Sequence, residues 1–102
     1  MTASNDAKKT AAVDELTEQQ VQAVIRREHR ALTDFCLRVT PLFRAIAYSR
    51  LVAANQYSKA KQEDLTQSLL EAALREEIVR KWQPLKGLLS SYLRVFAKRR
   101  AL

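Results

Sequence analysis

The sequence predicts an all-α protein, a compact bundle of about four helices in a single domain. Glycine occurs once and proline twice in the 102 residues, so residues that favour turns are scarce. The chain is rich in alanine, leucine, arginine, lysine, glutamine and glutamate, which are good helix formers. Apolar residues recur at three- and four-residue spacing and do not alternate as they do in strands. A chain of this length buries one modest core.

The first predicted helix follows a polar N-terminal segment. Residues 1–13 are small and polar, so we expect a disordered tail there and a helical domain over residues 14–102. The helix begins near Asp14 or Thr17, because Thr17 and Gln20 have the spacing of a capping box. Its apolar stripe, interrupted by Glu28, consists of Val21, Ile25, Leu32, Phe35 and Val39.

Thr40 and Pro41 predict the end of the first helix and the start of the second. Proline is well accepted at the first position of a helix, and the Thr40 side chain suits a cap. The second helix is expected over residues 41–54. That segment is apolar on nearly every side, which predicts a place at the centre of the bundle. A loop with Ser58 as a cap then leads to a third helix over residues 59–82.

The fourth predicted helix, residues 84–102, has an apolar side and a cationic side. The apolar side holds Leu85, Leu89, Tyr92 and Phe96, and the other side holds Gly87, Ser91, Arg94 and Lys98. After Glu77 the chain has no acidic residue and seven basic ones, Arg80, Lys81, Lys86, Arg94, Lys98, Arg99 and Arg100. This combination fits a polyanion, with nucleic acid as the leading candidate. The helix reaches the last residue without a stop signal, so we expect either a fragment of a longer protein or a frayed natural end.

The composition argues against several classes of function. The net charge of +7 indicates an acidic partner. Cys36 is the only cysteine, so no internal disulfide forms, and its place on the first apolar stripe predicts a buried, inert thiol. No group of His, Cys, Asp and Glu has metal-ligand spacing, and the adjacent carboxylates at 63–64 and 76–77 diverge by about 100° on a helix. We therefore predict no enzymatic activity, no metal and no cofactor.

The sequence shows neither a membrane-spanning segment nor a secretion signal. No apolar run approaches the roughly 20 residues that cross a bilayer. The first residues lack the apolar core of a signal peptide. The sequence therefore predicts a cytoplasmic protein with no membrane partner.

Two helix motifs stand in order in the second half of the chain. Residues 62–70 read Gln-Glu-Asp-Leu-Thr-Gln-Ser-Leu-Leu, and residues 89–102 read Leu-Ser-Ser-Tyr-Leu-Arg-Val-Phe-Ala-Lys-Arg-Arg-Ala-Leu. Together they resemble region two of bacterial sigma factors, particularly the extracytoplasmic-function type. That family has roughly Ala-Glu-Asp-Leu-x-Gln-x-x-Phe, followed by Phe-x-x-Trp-Leu-x-x-Ile-Ala-x-Asn-x-x-x-Asp, so Tyr92 replaces its tryptophan. Residues 41–51 are similar to the family's first core helix, and the resemblance covers about residues 33–102.

The resemblance implies a transcription-initiation domain that binds core RNA polymerase and the start-proximal promoter element. Binding to the clamp helices of the largest polymerase subunit is implied for Glu63, Asp64 and Gln67. Contact with an unstacked strand of promoter DNA is implied for Lys86, Ser90, Ser91, Arg94, Lys98 and Arg99. The second sigma domain, which reads the distal promoter element, is not in this sequence. Either this sequence is a domain fragment, or the protein shares the sigma role with a separate partner chain. An anti-sigma regulator or a second sigma subunit is a further partner that the resemblance implies.

The chain departs from the family pattern at positions that affect these expectations. Arg99 replaces an asparagine that faces DNA in the family, which favours phosphate contact over base reading. Lys59 and Lys61 dilute the acidic patch, which weakens the expected polymerase docking. As a hypothesis, phosphorylation of Thr66 or Ser68 restores negative charge there and switches docking on.

Two other classes of function fit the same sequence. A basic helical module that binds nucleic acid without polymerase predicts duplex binding with a steep salt dependence. A helical protein-interaction module predicts neither kind of binding, but an oligomer or a partner complex formed through residues 14–39.

Overall fold

The computed structural model describes residues 12–101, and all regular structure in this range is helical. It begins with a 3₁₀ turn at Ala12–Glu15, and a second 3₁₀ turn at Pro84–Lys86 precedes the last helix. The α-helices are α1 (Glu18–Ile25), α2 (His29–Ala53), α3 (Lys59–Arg75), α4 (Ile78–Lys81) and α5 (Leu89–Arg100). The all-α prediction is therefore confirmed for the described range, with five helices in place of about four.

The N-terminal turn is part of the folded domain. A disordered tail was predicted over residues 1–13, of which residues 1–11 lie outside the described range. Val13, at its predicted end, is only 1% exposed and packs in the same core as Phe35 and Leu93. The predicted boundary after residue 13 therefore falls inside a packed turn, because one apolar side chain there is buried by distant helices.

The first predicted helix is divided at Arg26–Glu28. Its start is confirmed, because the Thr17 hydroxyl accepts a bond from the Gln20 amide at 3.1 Å and the Gln20 side chain accepts one from the Thr17 amide at 2.8 Å. The helix ends where Arg27 adopts a left-handed backbone with φ of 62°. The Arg27 guanidinium then donates to the carbonyl of Leu74 at 3.0 Å. Glu28, which interrupts the apolar stripe, stands at the N-terminal boundary of α2.

The break predicted at Pro41 is wrong, because α2 continues through it. The buried side chains on both sides of the proline form one stripe, Phe35, Val39, Leu42, Phe43 and Ile46. Proline removes the backbone bond to the carbonyl of Leu37, whose side chain is 70% exposed, so water has access to that side of α2. Thr40 does not cap a helix, and its hydroxyl donates to the carbonyl of Cys36 at 2.6 Å. Continuous burial outweighs one missing hydrogen bond.

The boundaries of the later helices also differ from those predicted. Ser58 caps α3 as expected, accepting a bond from the Lys61 amide at 3.1 Å. The helix predicted to reach residue 82 stops at a left-handed turn, where Glu77 has φ of 50°, and the short α4 follows. The last helix begins at Leu89 rather than at Pro84, because residues 84–86 form a 3₁₀ turn.

The core is built around α2, which contacts the N-terminal turn, α1, α3 and α5. The largest fully buried side chains are Phe35, Phe43, Leu69, Leu89, Leu93, Val13 and Val39. The central position predicted for the 41–54 segment is confirmed in these contacts. Its expected burial on nearly every side is not, because Tyr48 and Val52 are about half exposed. One side of α2 therefore remains on the surface beside α3 and α5.

Candidate polymerase and nucleic-acid interfaces

The acidic motif lies on the exposed side of α3. Asp64 and Gln67 are both exposed and stand three residues apart, so they share one side of the helix. Glu63 is exposed too, but the Arg44 guanidinium of α2 donates to its two carboxylate oxygens at 3.2 and 3.4 Å. An ion pair this exposed adds little stability, yet it partly neutralises Glu63. Among the described residues, Asp64 forms no ion pair, and neither does exposed Glu71, which lies two turns later on the same side of α3.

Hydrogen bonds hold the start of α3 against α2. The Gln62 side chain donates to the carbonyl of Arg44 at 3.1 Å. The Tyr57 hydroxyl donates in turn to the Gln62 side-chain oxygen at 3.1 Å. The acidic motif therefore sits on a helix whose orientation is fixed from both its N-terminal loop and its neighbour.

Thr66 is not an exposed member of the motif. Its side chain is 3% exposed, and its hydroxyl donates to the carbonyl of Gln62 at 2.7 Å. A phosphate there would have to enter the core, so the phosphorylation hypothesis does not fit Thr66. Ser68 lies two residues later on the exposed side, where the hypothesis still applies.

The basic motif lies on α5, whose packing differs from the predicted stripe. Leu89, Leu93 and Ala97, spaced by four residues, are fully buried. Leu85 was expected among them but is 102% exposed, because the helix begins only at Leu89. Gly87 likewise precedes the helix instead of lying on its cationic side.

Ser90 belongs to the interior. It is 4% exposed, its amide donates to the Asp14 carboxylate at 2.8 Å, and its hydroxyl donates to the other carboxylate oxygen. Leu88, which precedes the first residue of α5, provides no side-chain cap. Asp14, 76 residues earlier in the chain, therefore satisfies one of the free backbone amides in the first turn of α5. The DNA contact implied for Ser90 is corrected to this structural role.

The remaining candidate DNA-binding residues line three different grooves beside α5. Lys86 and Ser91 line the Trp82 groove, together with Lys81, Trp82 and Tyr92. Arg94 and Lys98 line the α2–α5 groove, together with Ala45, Ser49 and Arg50. Arg99 lines the Glu76 groove, together with Glu76, Tyr92 and Phe96. The structure therefore divides into three sets the residues that the sequence placed together.

The Trp82 groove combines aromatic and cationic groups. The Trp82 indole donates to the carbonyl of Gly87 at 3.0 Å, which holds the 83–88 segment against α5. Exposed Leu88 and Val95 also line this groove, and exposed Leu85 lies in the same segment. The outer side of α5 is thus partly apolar, whereas the sequence predicted a purely cationic one.

Two of the seven C-terminal basic residues have acidic partners. Arg80 pairs with Glu77 at 3.1 Å. Arg100 pairs with Glu76, and its guanidinium carbon lies 5.6 Å from the centre of the Phe96 ring. Within residues 12–101 the other five, Lys81, Lys86, Arg94, Lys98 and Arg99, form no ion pair. These five cations are available to an external anion.

Cys36 is a further reactive group in the described range. Cys36 is only partly buried, whereas the sequence predicted a buried thiol. This partial burial raises the pKa of the thiol, which keeps it protonated near neutral pH. No three His, Cys, Asp or Glu side chains between residues 12 and 101 converge as metal ligands would. Across the same residues, no helix has the length and apolarity that crossing a bilayer requires.

Comparison of this chain with protein-family models, curated proteins and solved structures finds no match.

Sequence reasoning missed three residues that shape the candidate surfaces. Asp14 accepts a hydrogen bond from Ser90 of α5, 76 residues away in sequence. Arg50 donates one to the carbonyl of Lys98 of α5, 48 residues away. Arg44 pairs with Glu63 across 19 residues. No local pattern identifies such partners, because their spacing is set by how the helices pack.

Proposed function

We propose that this protein is a sigma-factor-like transcription-initiation domain. In this proposal, α3 binds the clamp helices of the largest subunit of core RNA polymerase. The 83–88 segment and α5 bind the start-proximal promoter element. The proposed partners are core polymerase and promoter DNA, together with an anti-sigma regulator or a second sigma subunit.

The observation that carries the proposal is the presence of two chemically different surfaces on one core, one with an exposed carboxylate and amide and the other cationic. Asp64 and Gln67 are exposed on α3, while the five unpaired cations lie on α4, α5 and the segment between them. A protein that joins polymerase to DNA needs two such surfaces, because one meets a protein and the other meets a polyanion. Both are attached to the α2 core, so that binding at one surface positions the other.

The Trp82 groove supports the DNA part of the proposal. Unstacked bases bind on aromatic or apolar surfaces, and the phosphates beside them need cations. In this groove Trp82 and Tyr92 provide the aromatic surface, and Lys81 and Lys86 provide the cations. These groups lie at the start of α5, where the resemblance implies contact with the promoter strand.

The polymerase part is tested by binding to core RNA polymerase and to its isolated clamp helices. We expect Asp64→Ala/Gln67→Ala to weaken binding at least about 10-fold, since truncating central polar contacts costs about 1–2 kcal/mol or more. The matched control is Glu18→Ala/Gln22→Ala, which removes one carboxylate and one amide from the exposed side of α1. Binding is measured by a pull-down and then by titration, with circular dichroism to verify folding.

Each result of this experiment is informative. Loss of binding confined to the α3 variant supports the proposal. Equal loss in the α1 variant contradicts it, because the effect would then follow charge rather than position. Absence of binding by the unsubstituted chain also contradicts it.

The same five cations favour a second candidate, a basic helical module that binds nucleic acid alone. Such a module binds duplex DNA without polymerase, with an affinity that falls steeply as salt rises. Duplex binding by the free chain, together with no polymerase binding, would replace the first proposal by this one.

A further inference from the structure

The α2–α5 groove contains a cationic residue that the basic motif does not include. Arg50 of α2 lines this groove with Arg94 and Lys98 of α5, and no carboxylate lines it. We propose that the groove holds the phosphate backbone of a nucleic-acid strand and that Arg50 is one of its phosphate ligands. The inference rests on the DNA-binding part of the proposed function and gives the strand a specific path.

The floor of the groove allows a strand to approach closely. Ala45, Ser49 and Ala53 stand four residues apart on α2 and line the groove with small side chains. Ala45, Ser49 and Ala53 are exposed, so no larger side chain covers this side of α2. The Ser49 hydroxyl adds a donor suited to a phosphate oxygen.

Arg50 is held in place before any ligand binds. Its terminal nitrogen donates to the carbonyl of Lys98 at 3.2 Å, which joins α2 to the last turn of α5. The other N–H groups of the guanidinium remain for a ligand, and their planar fork matches two phosphate oxygens. Because one bond already orients the side chain, little further ordering is needed when a phosphate arrives.

The arrangement of the cations favours a nucleic acid over an acidic helix. Lys98 and Arg94 are one turn apart, about 6 Å along the axis of α5. Ser91 lies three residues before Arg94 on the same side of α5, and it lines the Trp82 groove together with Lys86. Such a line matches a linear polyanion that carries one charge per nucleotide, whose bases would then reach Trp82 and Tyr92.

The test measures binding of the free chain to a labelled single-stranded DNA oligonucleotide by fluorescence anisotropy at several salt concentrations. We expect Arg50→Gln to weaken binding about 3- to 10-fold and to lower the slope of log K against log salt by about 0.7. Arg30→Gln is the matched control, since it removes the same charge from an exposed position on the same helix. We expect it to change affinity less than about 2-fold, with no change in slope.

Two further variants separate a phosphate contact from a structural effect of Arg50. Ala45→Leu keeps every charge but fills the exposed floor of the groove, so we expect weaker binding without loss of thermal stability. Arg50→Lys keeps the charge without the fork, and we expect it to retain the salt slope while losing part of the affinity.

The outcomes distinguish this inference from the function on which it rests. If the unsubstituted chain binds the oligonucleotide but Arg50→Gln and Ala45→Leu behave like Arg30→Gln, the groove assignment is overturned and DNA binding stands. If the unsubstituted chain does not bind at low salt, the DNA part of the proposed function fails as well. If polyglutamate of equal charge competes as well as DNA, and depends equally on Arg50, the groove binds acidic peptides and the inference is overturned.

Discussion

Thr66 and Ser68 stand two residues apart on α3, but their hydroxyl groups have different surroundings. Thr66 is buried and bonded to the carbonyl of Gln62, whereas Ser68 is exposed. The helix turns by about 200° between them, which places one hydroxyl in the core and the other in solvent. A sequence pattern that treats both as members of one acidic patch therefore misjudges Thr66.

We predict that Thr66→Glu lowers the free energy of unfolding by at least about 2 kcal/mol, because it forces a carboxylate into the core without a partner. Ser68→Glu should stay within about 0.5 kcal/mol of the unsubstituted chain. Urea unfolding followed by circular dichroism measures both values. Equal stability of the two variants would contradict the burial assigned to Thr66.

Between residues 12 and 101, three non-glycine residues with left-handed backbones mark the ends of helices. Arg27, Asn55 and Glu77 have φ between 50° and 62°, and each follows the last turn of α1, α2 or α3. Asparagine tolerates this conformation, so a stop after α2 agrees with the predicted loop. Arginine and glutamate do not favour it. The stops at Arg27 and Glu77 were therefore missed from the sequence.

At the scale of helices, the start of α5 is stabilised by the N-terminal 3₁₀ turn, Ala12–Glu15. Asp14 accepts from the amide and hydroxyl of Ser90, and no residue next to α5 supplies an equivalent cap. A carboxylate at this end also interacts favourably with the helix dipole. The N-terminal turn thus helps to order the helix that carries most of the candidate DNA-binding residues.

We predict that Asp14→Ala lowers the free energy of unfolding by about 1–2 kcal/mol and speeds amide hydrogen exchange in the first turn of α5. Glu15→Ala is the control, because it removes the neighbouring exposed carboxylate. Hydrogen exchange followed by mass spectrometry measures the local effect. Unchanged exchange at residues 89–93 in the Asp14 variant would show that α5 orders without this cap.

At the scale of the whole molecule, side chains from both ends of the described range share one core. Val13 packs in the same cluster as Ala97, and residues of α1, α2, α3 and α4 complete it. Bonds between distant segments reinforce this connection, including Arg80 of α4 with the carbonyl of Ile25 at 3.4 Å. No helix in the described range buries its apolar side alone.

We therefore predict a single cooperative unfolding transition. Trp82 is the only tryptophan, so its fluorescence reports the α4–α5 region, whereas far-ultraviolet circular dichroism reports all helices. The two signals should change at the same urea concentration, as in other small two-state domains. Separate midpoints would show that α5 and the 83–88 segment unfold independently of the core around α2.

Some residues of the candidate surfaces were predictable from the sequence, and others were not. The exposed positions of Asp64 and Gln67 follow from helical periodicity, since residues on the other side of α3 are apolar. The positions of Arg94 and Lys98 on α5 were predictable in the same way. Their neighbour Arg50 was not, because its place depends on the crossing of α2 and α5. Ser90 was misjudged for the same reason, since its partner is 76 residues away.

By itself, the sequence determined the all-helical class, the capping box at Thr17, the N-cap at Ser58, the excess of cations after Glu77 and the two motifs. These properties depend on side-chain chemistry and on spacing within one or two turns. Only the tertiary structure decided that α2 continues through Pro41, that Val13 enters the core, and that the candidate DNA-binding residues at the surface divide among three grooves. Those outcomes depend on burial and on contacts between distant segments, whose energies exceed the local preferences of single residues.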